Sequence, residues 1–126
     1  MPKRTRQVSE KKGRWAESFA AVYLQIRGYK ITARRVKTPF GEIDLIARKG
    51  RLLVFIEVKY RCDKSGLTTS LTPQSQQRII KAAHYLTSRT SDFQTLEQRF
   101  DFIFTAPLGP FPLGHITHMK DAWRAY

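Results

Sequence analysis

The fold is decided by two stretches, Gly41-Glu42-Ile43-Asp44-Leu45-Ile46-Ala47 and Leu53-Val54-Phe55-Ile56-Glu57-Val58-Lys59. Both are rich in the β-branched and aromatic residues that favour strands, and a glycine lies in the short connection between them. The pattern predicts two adjacent antiparallel strands, Glu42 to Lys49 and Leu52 to Tyr60, joined by a tight turn.

Charged side chains recur at every second position of these strands, so they share one face of each strand. They are Glu42, Asp44, Glu57 and Lys59. A Lys49-Gly50 turn would place Glu42 opposite Glu57, whereas a Gly50-Arg51 turn would place Asp44 opposite Glu57. Both two-residue turns bring the charged side chains to one face of the sheet, and a three-residue turn would separate them.

The opposite face collects apolar residues, which favours a two-residue turn. They are Ile43, Leu45, Ala47, Val54, Ile56 and Val58. Further apolar residues share the charged face, so we expect that face to be partly covered as well. They are Ile46, Leu53 and Phe55.

Carboxylates clustered on a covered face repel one another, and desolvation increases the cost. Lys59 offsets part of this charge, and a bound Mg²⁺ or Mn²⁺ would offset the rest, because both ions prefer oxygen ligands. Lys59 would then orient an attacking water or stabilise charge on a phosphate. The structural alternative is a salt-bridged strand pair, but an Asp followed by Glu-x-Lys on adjacent strands favours the metal-dependent site.

Flanking elements follow from caps and periodicity. Ser9 would cap a helix that runs to about Arg27 and carries an apolar stripe, and Thr72-Pro73 would start a helix that runs to about Ser88. The stripe comprises Trp15, Phe19, Val22 and Ile26. Strands are predicted over residues 30–37, 100–105 and 115–119, with loops over residues 61–71 and 107–114. This order, αβββαβ(β), predicts an α/β fold with a mixed sheet flanked by helices.

Net charge is the strongest bulk property: the 126 residues carry a formal charge of +13. Such an excess attracts a polyanion, and nucleic acid is the commonest one in the cytosol. We therefore expect phosphate contacts from a set of basic residues and from a flexible basic arm, residues 1–9, ahead of a single domain, residues 10–126. The set comprises Arg34, Arg35, Lys37, Arg61, Lys64, Arg78 and Lys81.

The single cysteine, Cys62, permits no disulfide within the chain, which is typical of a cytoplasmic protein. No apolar run is long enough to cross a membrane, so no membrane association is expected.

Four other positions leave alternatives open. Glu17 is an ordinary helical glutamate or a closely packed one, and Gln76 is a glutamine of the helix start or a group that reaches the carboxylates. Asp101 is expected to pair with Arg99 or a neighbouring lysine, and a surface or packing role is favoured over phosphate contact for His118.

Several motifs together resemble the UPF0102/YraN family of small bacterial proteins. They are Trp15-Ala16-Glu17, Gly41-Glu42-Ile43-Asp44, Glu57-Val58-Lys59-x-Arg61, Gln76-x-Arg78-Ile79, Arg99-Phe100-Asp101 and His118-x-x-Asp121-Ala122-Trp123. The resemblance covers about residues 10–123 and implies a restriction-endonuclease-like fold related to Holliday-junction resolvases.

The wider superfamily implies roles for individual residues. Glu17, Asp44 and Glu57 would hold the metal, with Glu42 assisting as a ligand or through a bound water. Lys59 would assist the water nucleophile, and Gln76 would be an accessory catalytic group. A homodimer is implied by analogy with resolvases alone.

The resulting hypothesis is a Mg²⁺- or Mn²⁺-dependent endonuclease acting on DNA, ahead of RNA, with branched DNA among its candidate substrates. The alternative is a non-catalytic nucleic-acid-binding module of the same fold. A protein-interaction domain of a DNA-processing machine is a third interpretation.

Overall fold

A computed structural model describes the backbone of residues 2–60, 72–108 and 111–124, and the side chains of residues 14–60, 72–106 and 115–124. Two helices, five strands and one short 3-10 helix make up these segments. In chain order they are α1 (Pro2–Ile26), β1 (Lys30–Thr38), β2 (Gly41–Lys49), β3 (Leu52–Tyr60), α2 (Pro73–Arg89), the 3-10 helix (Ser91–Thr95), β4 (Glu97–Leu108) and β5 (Phe111–Trp123).

The strands form one sheet in the order β1-β2-β3-β4-β5. Neighbouring strands are antiparallel except β3 and β4, which run parallel and are connected through α2. One buried cluster joins α1 to the sheet and another joins α2 to it, so the helices cover opposite faces. The predicted α/β class with a mixed sheet is confirmed.

The central hairpin matches its predicted bounds. Lys49 pairs with Leu52, so Gly50 and Arg51 form the turn, and Gly50 adopts a positive φ of 61° that favours glycine. This is the one of the two alternatives that sets Asp44 level with Glu57. α2 also begins as predicted, because the Thr72 hydroxyl accepts a hydrogen bond from the Ser75 amide at 3.1 Å.

The apolar stripe of α1 faces the core only in part: Trp15 packs against the buried cluster that joins α1 to the sheet. α1 buries its small residues and Leu24 against the sheet, whereas Val22 is 52% exposed and Ile26 80% exposed. The buried small residues are Ala16, Ala20 and Ala21. Their small side chains let the helix lie close to the strands, which outweighs the larger apolar area of the stripe. α1 also begins at Pro2, ahead of the predicted start at Ser9; the flexibility of the basic arm stays a prediction.

β4 and β5 extend well beyond the predicted strands. The prolines of residues 107–114 suggested a loop, but β4 continues to Leu108 and β5 begins at Phe111. β5 is the last strand of the sheet, where strand prolines are tolerated because their missing N–H groups need no partner. The predicted loop over residues 61–71 lies outside the described residues. Within the described residues, no helix is long and apolar enough to cross a membrane.

A buried ion network ties β4 to β5 and α1. Asp101 is fully buried, and its carboxylate accepts hydrogen bonds from Arg99 Nε at 2.8 Å and from the Asp121 amide at 3.0 Å. His118 Nε2 lies 2.7 Å from the same carboxylate, and His118 Nδ1 lies 3.2 Å from the Tyr23 hydroxyl. The expected Asp101–Arg99 pair and the packing role of His118 are both confirmed.

Burial alone would raise the pKa of Asp101, but the hydrogen bonds from His118, Arg99 and the Asp121 amide outweigh it and hold the pKa below its usual value. The ionised carboxylate is therefore part of the folded structure. Because a carboxylate only accepts hydrogen bonds, His118 carries its hydrogen on Nε2.

Replacing this carboxylate tests its contribution to stability. We expect Asp101→Asn to lower the free energy of unfolding by about 3 kcal/mol at pH 7, because it leaves the partly buried Arg99 without its counter-charge. Urea unfolding measures the loss. The pKa of Asp101 is lower in the folded state than in the unfolded chain. Asp101 therefore contributes its full stability above pH 3.8, and this contribution is lost as the pH falls further. The difference between wild type and variant should therefore shrink below that pH, and a constant difference would contradict this role.

Candidate metal-dependent active site

The candidate site lies where β2 and β3 separate. The ladder between these strands runs from Lys49↔Leu52 to Leu45↔Ile56 and places Asp44 level with Glu57. Asp44 Oδ2 accepts a hydrogen bond from the Val58 amide at 2.8 Å. The Asp44 side chain therefore takes up a backbone N–H of β3 as its hydrogen-bond donor, and it lies between the two strands.

The backbone is irregular on the other side of Asp44 as well. Arg34 pairs with Leu45 and Val36 pairs with Ile43, so Arg35 of β1 is level with Asp44. Arg35 has a φ of 51°, in the left-handed region that costs a non-glycine residue energy. Such local strain is common at functional sites, where the surrounding structure holds it in place.

The alternation of side chains along β2 fails at this point. Ile43 was predicted to share a face with Leu45, but it packs in the α2-side cluster with Ile46, whereas Leu45 packs in the α1-side cluster. The expectation was wrong for Ile43 because the regular pleat does not continue past Leu45. The rest of the predicted apolar layer, Ala47, Val54, Ile56 and Val58, lies together as expected.

Glu57 is buried and faces two cations. Its Oε1 lies 3.6 Å from Lys59 Nζ, and its Oε2 lies 3.4 Å from an Arg78 guanidinium nitrogen of α2. The Glu57 side chain is only 6% exposed, whereas those of Lys59 and Arg78 are 39% and 40% exposed. The two cations therefore have a side open to solvent, from which a substrate can approach.

Asp44 lacks comparable compensation. Burial, and then the negative charge of Glu57 and a hydrogen bond shared with that carboxyl group, raise the pKa of Asp44 to about 8. The Val58 amide and Lys59 act in the opposite direction but do not restore the ordinary value. Without a further cation, the two carboxyl groups therefore favour holding a proton at neutral pH.

Glu17 reaches the edge of this site from α1 and forms an ion pair with Arg35. Its pKa is raised, first by burial and then by the charges of Asp44 and Glu42, although the Arg35 hydrogen bond lowers it. Glu17, Asp44 and Glu42 therefore belong to one electrostatic neighbourhood, in which Glu42 is level with Lys37 of β1. The close-packed alternative for Glu17 describes its surroundings better than an exposed helical glutamate.

The carboxylate oxygens of Asp44 and Glu57 would supply part of the ligand set that a divalent cation requires. Two carboxylates and water suit Mg²⁺ or Mn²⁺, because Mg²⁺ retains several waters and is often held by one or two carboxylates and substrate phosphates. Asp44 and Glu57 fit that description, and a bound cation would lower the cost of ionising both. Within the described part of the chain, no group of three or more His, Cys, Asp or Glu residues could hold a metal together. Ligation by Glu17 and Glu42 therefore stays a prediction.

Gln76 lies half-buried in the first turns of α2, and its backbone N–H donates to the Thr72 carbonyl at 3.0 Å. Arg78, two residues along, reaches Glu57, so Gln76 is at the end of α2 that approaches the site. Its accessory catalytic role stays a prediction.

The predicted phosphate-binding residues divide into two groups. Lys37 and Lys81 are exposed, and the exposed Arg34 hydrogen-bonds the Ser18 hydroxyl at 2.8 Å. Arg35 and Arg78 instead pair with carboxylates of the site, which the sequence did not indicate because the partners are 18 and 21 residues away. Arg61 and Lys64 lie outside the described residues.

Comparison with known proteins agrees with the motifs that form this site. The model of the uncharacterised protein family UPF0102 matches residues 16–105, which include α1 from Ala16 and the carboxylates of β2 and β3. The chain belongs to the UPF0102 family.

Individual relatives extend the match to nearly the whole chain. A UPF0102 protein of Parvibaculum lavamentivorans is 41% identical over 86% of this chain and 78% of its own length. Relatives from Maricaulis maris and Paramagnetospirillum magneticum are each 38% identical, over 95% and 98% of this chain and 91% and 95% of their own lengths.

The raised pKa of Asp44 makes the stability of this UPF0102 protein depend on pH. The folded state binds a proton that the unfolded chain releases, so stability falls as pH rises from about 3.8 to about 8. The quantity to compare is the free energy of unfolding of Asp44→Asn minus that of wild type, both measured in EDTA. We expect this difference to be about 2 kcal/mol greater at pH 8 than at pH 5. Urea unfolding at both pH values measures this change.

The exposed Asp92 provides a matched control. Asp92→Asn should follow the wild-type pH profile, since this side chain lies in solvent. Parallel profiles for wild type and Asp44→Asn would show that Asp44 titrates as an ordinary aspartate.

Proposed function

We propose that the protein is a nuclease that hydrolyses DNA phosphodiester bonds with Mg²⁺ or Mn²⁺, and that branched DNA is among its substrates. The observation that carries this proposal is the juxtaposition of Asp44 and Glu57 between β2 and β3. Burial, together with the charge of Glu57, raises the pKa of Asp44 to about 8. A protein that needed these carboxylates only for folding would gain stability from a neutral pair, because an uncompensated buried charge is costly.

The surrounding charges support a phosphate-directed role. Lys59 and Arg78 touch Glu57 yet remain partly exposed, so a phosphate can approach both cations. The chain as a whole has a formal charge of +13, which would attract a nucleic acid over a long range.

Each residue has a distinct role in this proposal. Asp44 and Glu57 would hold the metal, whose chemistry is to polarise the phosphate and favour ionisation of a bound water. The ammonium group of Lys59 would stabilise the negative charge that develops on the phosphate as water oxygen bonds to phosphorus and the ester oxygen leaves. Arg78 would hold the Glu57 carboxylate in place from α2.

The restriction-endonuclease-like architecture, the homodimer and a cytoplasmic location belong to the same proposal. The strand pairing around Asp44 and Glu57 is compatible with that architecture, and a cytoplasmic location would give access to nucleic acid. A dimer would supply two such sites to one branched substrate.

A non-catalytic nucleic-acid-binding module is the second candidate. It is favoured by the engagement of Glu17 with Arg35 and by the lack of a larger ligand group among the residues that the structure describes. In this case Asp44 and Glu57 would share a proton rather than a metal.

Cleavage of a labelled panel tests the proposal. The panel comprises a four-way junction, a flap, a duplex and a single strand, each with Mg²⁺, Mn²⁺ or EDTA. We expect metal-dependent cleavage that falls on the order of 100-fold or more in Asp44→Asn and Asp44→Ala, because both remove a metal ligand. Asp92→Asn serves as the matched control and should cleave at the wild-type rate.

Binding measurements on the same panel distinguish the two candidates. Salt-dependent binding without cleavage in either metal would overturn the nuclease and favour the binding module. Cleavage that persists undiminished in Asp44→Ala would show that the reaction occurs elsewhere.

A further inference from the structure

An exposed aromatic side chain stands beside the candidate site. Phe40 lies at the tip of the β1–β2 hairpin and is 47% exposed. The turn is held by the Thr38 hydroxyl, which donates to the Gly41 carbonyl at 2.7 Å and accepts from the Phe40 amide at 3.1 Å. Pro39 further restricts the backbone of the turn. The hairpin therefore presents a large apolar ring to solvent on a constrained backbone.

Contacts with α2 fix this hairpin relative to the carboxylates. The Phe40 ring meets the Tyr85 ring edge-on, with centroids 6.2 Å apart. Gly41 has a φ of 132°, and a Cβ at this position would lie 2.8 Å from Arg78 Cδ. Arg78 thus packs against the hairpin backbone with its stem while its guanidinium contacts Glu57. One side chain connects the tip that carries Phe40 to the candidate active site.

A groove of about 420 Å³ runs along this junction. Among the residues that the structure describes, its lining combines one aromatic ring, one proline, two amides and two cations. The lining residues are Phe40, Pro73, Gln74, Gln77, Arg78 and Lys81. Aromatic rings stack on bases, amides can hydrogen-bond base edges, and cations bind phosphates. This combination matches a nucleotide unit of a nucleic acid. A groove for an apolar peptide would not need the two cations of this lining.

We propose that Phe40 stacks on an unpaired base of the nucleic acid while Lys81 contacts its backbone. In a continuous duplex both faces of each base are covered by neighbouring bases, so the ring would have to displace one of them. The substrate class is therefore nucleic acid with an unpaired nucleotide next to the bond held at Asp44 and Glu57. This assignment of substrate rests on the proposed function, which provides the bond to be cut.

Binding in EDTA tests the role of Phe40 without requiring cleavage. The probes are a fluorescein-labelled single-stranded DNA and a duplex of the same sequence, with binding followed by fluorescence anisotropy. We expect Phe40→Leu to weaken single-strand binding about tenfold, because leucine keeps apolar contact but cannot stack. Duplex affinity should stay within about twofold, and Phe40→Tyr should restore single-strand binding.

Val22→Ala is the matched control, because Val22 is an exposed apolar residue on α1, 52% accessible, and does not line the groove. It should leave both affinities unchanged. Lys81→Gln should lower the affinity for both probes by the same factor, and it should reduce the salt dependence of binding, because one phosphate contact is lost. Thermal unfolding of each variant establishes that the fold is intact.

The possible outcomes separate this inference from the nuclease proposal. Equal losses for both probes in Phe40→Leu, or no loss for either, would overturn base stacking even if the protein cleaves DNA. A selective single-strand loss in a protein that never cleaves would support base stacking and contradict the nuclease. A Phe40→Leu variant that loses stability with both affinities unchanged would show that Phe40 only packs the hairpin against Tyr85.

Discussion

Two carboxyl groups, those of the half-buried Asp44 and the buried Glu57, lie together between β2 and β3, and much of the local structure accommodates them. The Val58 amide is taken from the strand ladder to hold Asp44, and Arg78 extends from α2 to hold Glu57. Close packing of the Arg78 stem in turn requires glycine at position 41. The junction of the first hairpin with α2 therefore depends on the charge of a carboxylate on the central strand.

The sheet also contains an acid, Asp101, whose pKa is shifted in the opposite direction to that of Asp44. Asp101 is fully buried, yet its pKa is lowered, because Arg99, His118 and a backbone amide surround it. Asp44 accepts a hydrogen bond from the Val58 amide and faces another carboxyl group, and its pKa is raised. The first arrangement is complete within the protein and stabilises the fold, whereas the second gains from an additional cation. This contrast, more than burial itself, separates the structural acid from the candidate catalytic one.

Local patterns predicted the central hairpin and the capped start of α2, because turn and capping preferences are encoded within a few residues. The predicted charged face holds along β3, but it fails on β2, where the alternation of side chains breaks at Asp44. The sequence did not choose between the Lys49-Gly50 and Gly50-Arg51 turns, since both predict the same side chains on each face of the hairpin. The apolar stripe of α1 did not show which face of the helix would be buried, because helix periodicity reports apolar stripes but not how closely a helix approaches the sheet. The partners of Arg35 and Arg78 were missed for a related reason: they belong to other elements, and no local spacing encodes them.

The irregularities of β1 bear on how the protein avoids unwanted association. β1 is the outer strand next to β2, its register shifts between Ile31 and Ala33, and Arg35 adopts a left-handed backbone. An outermost strand of regular shape is a template on which another chain can extend the sheet, and a bulge together with basic side chains makes pairing unfavourable. Another chain therefore finds no regular edge on β1 with which to pair, and this guards the protein against polymerising through its first strand.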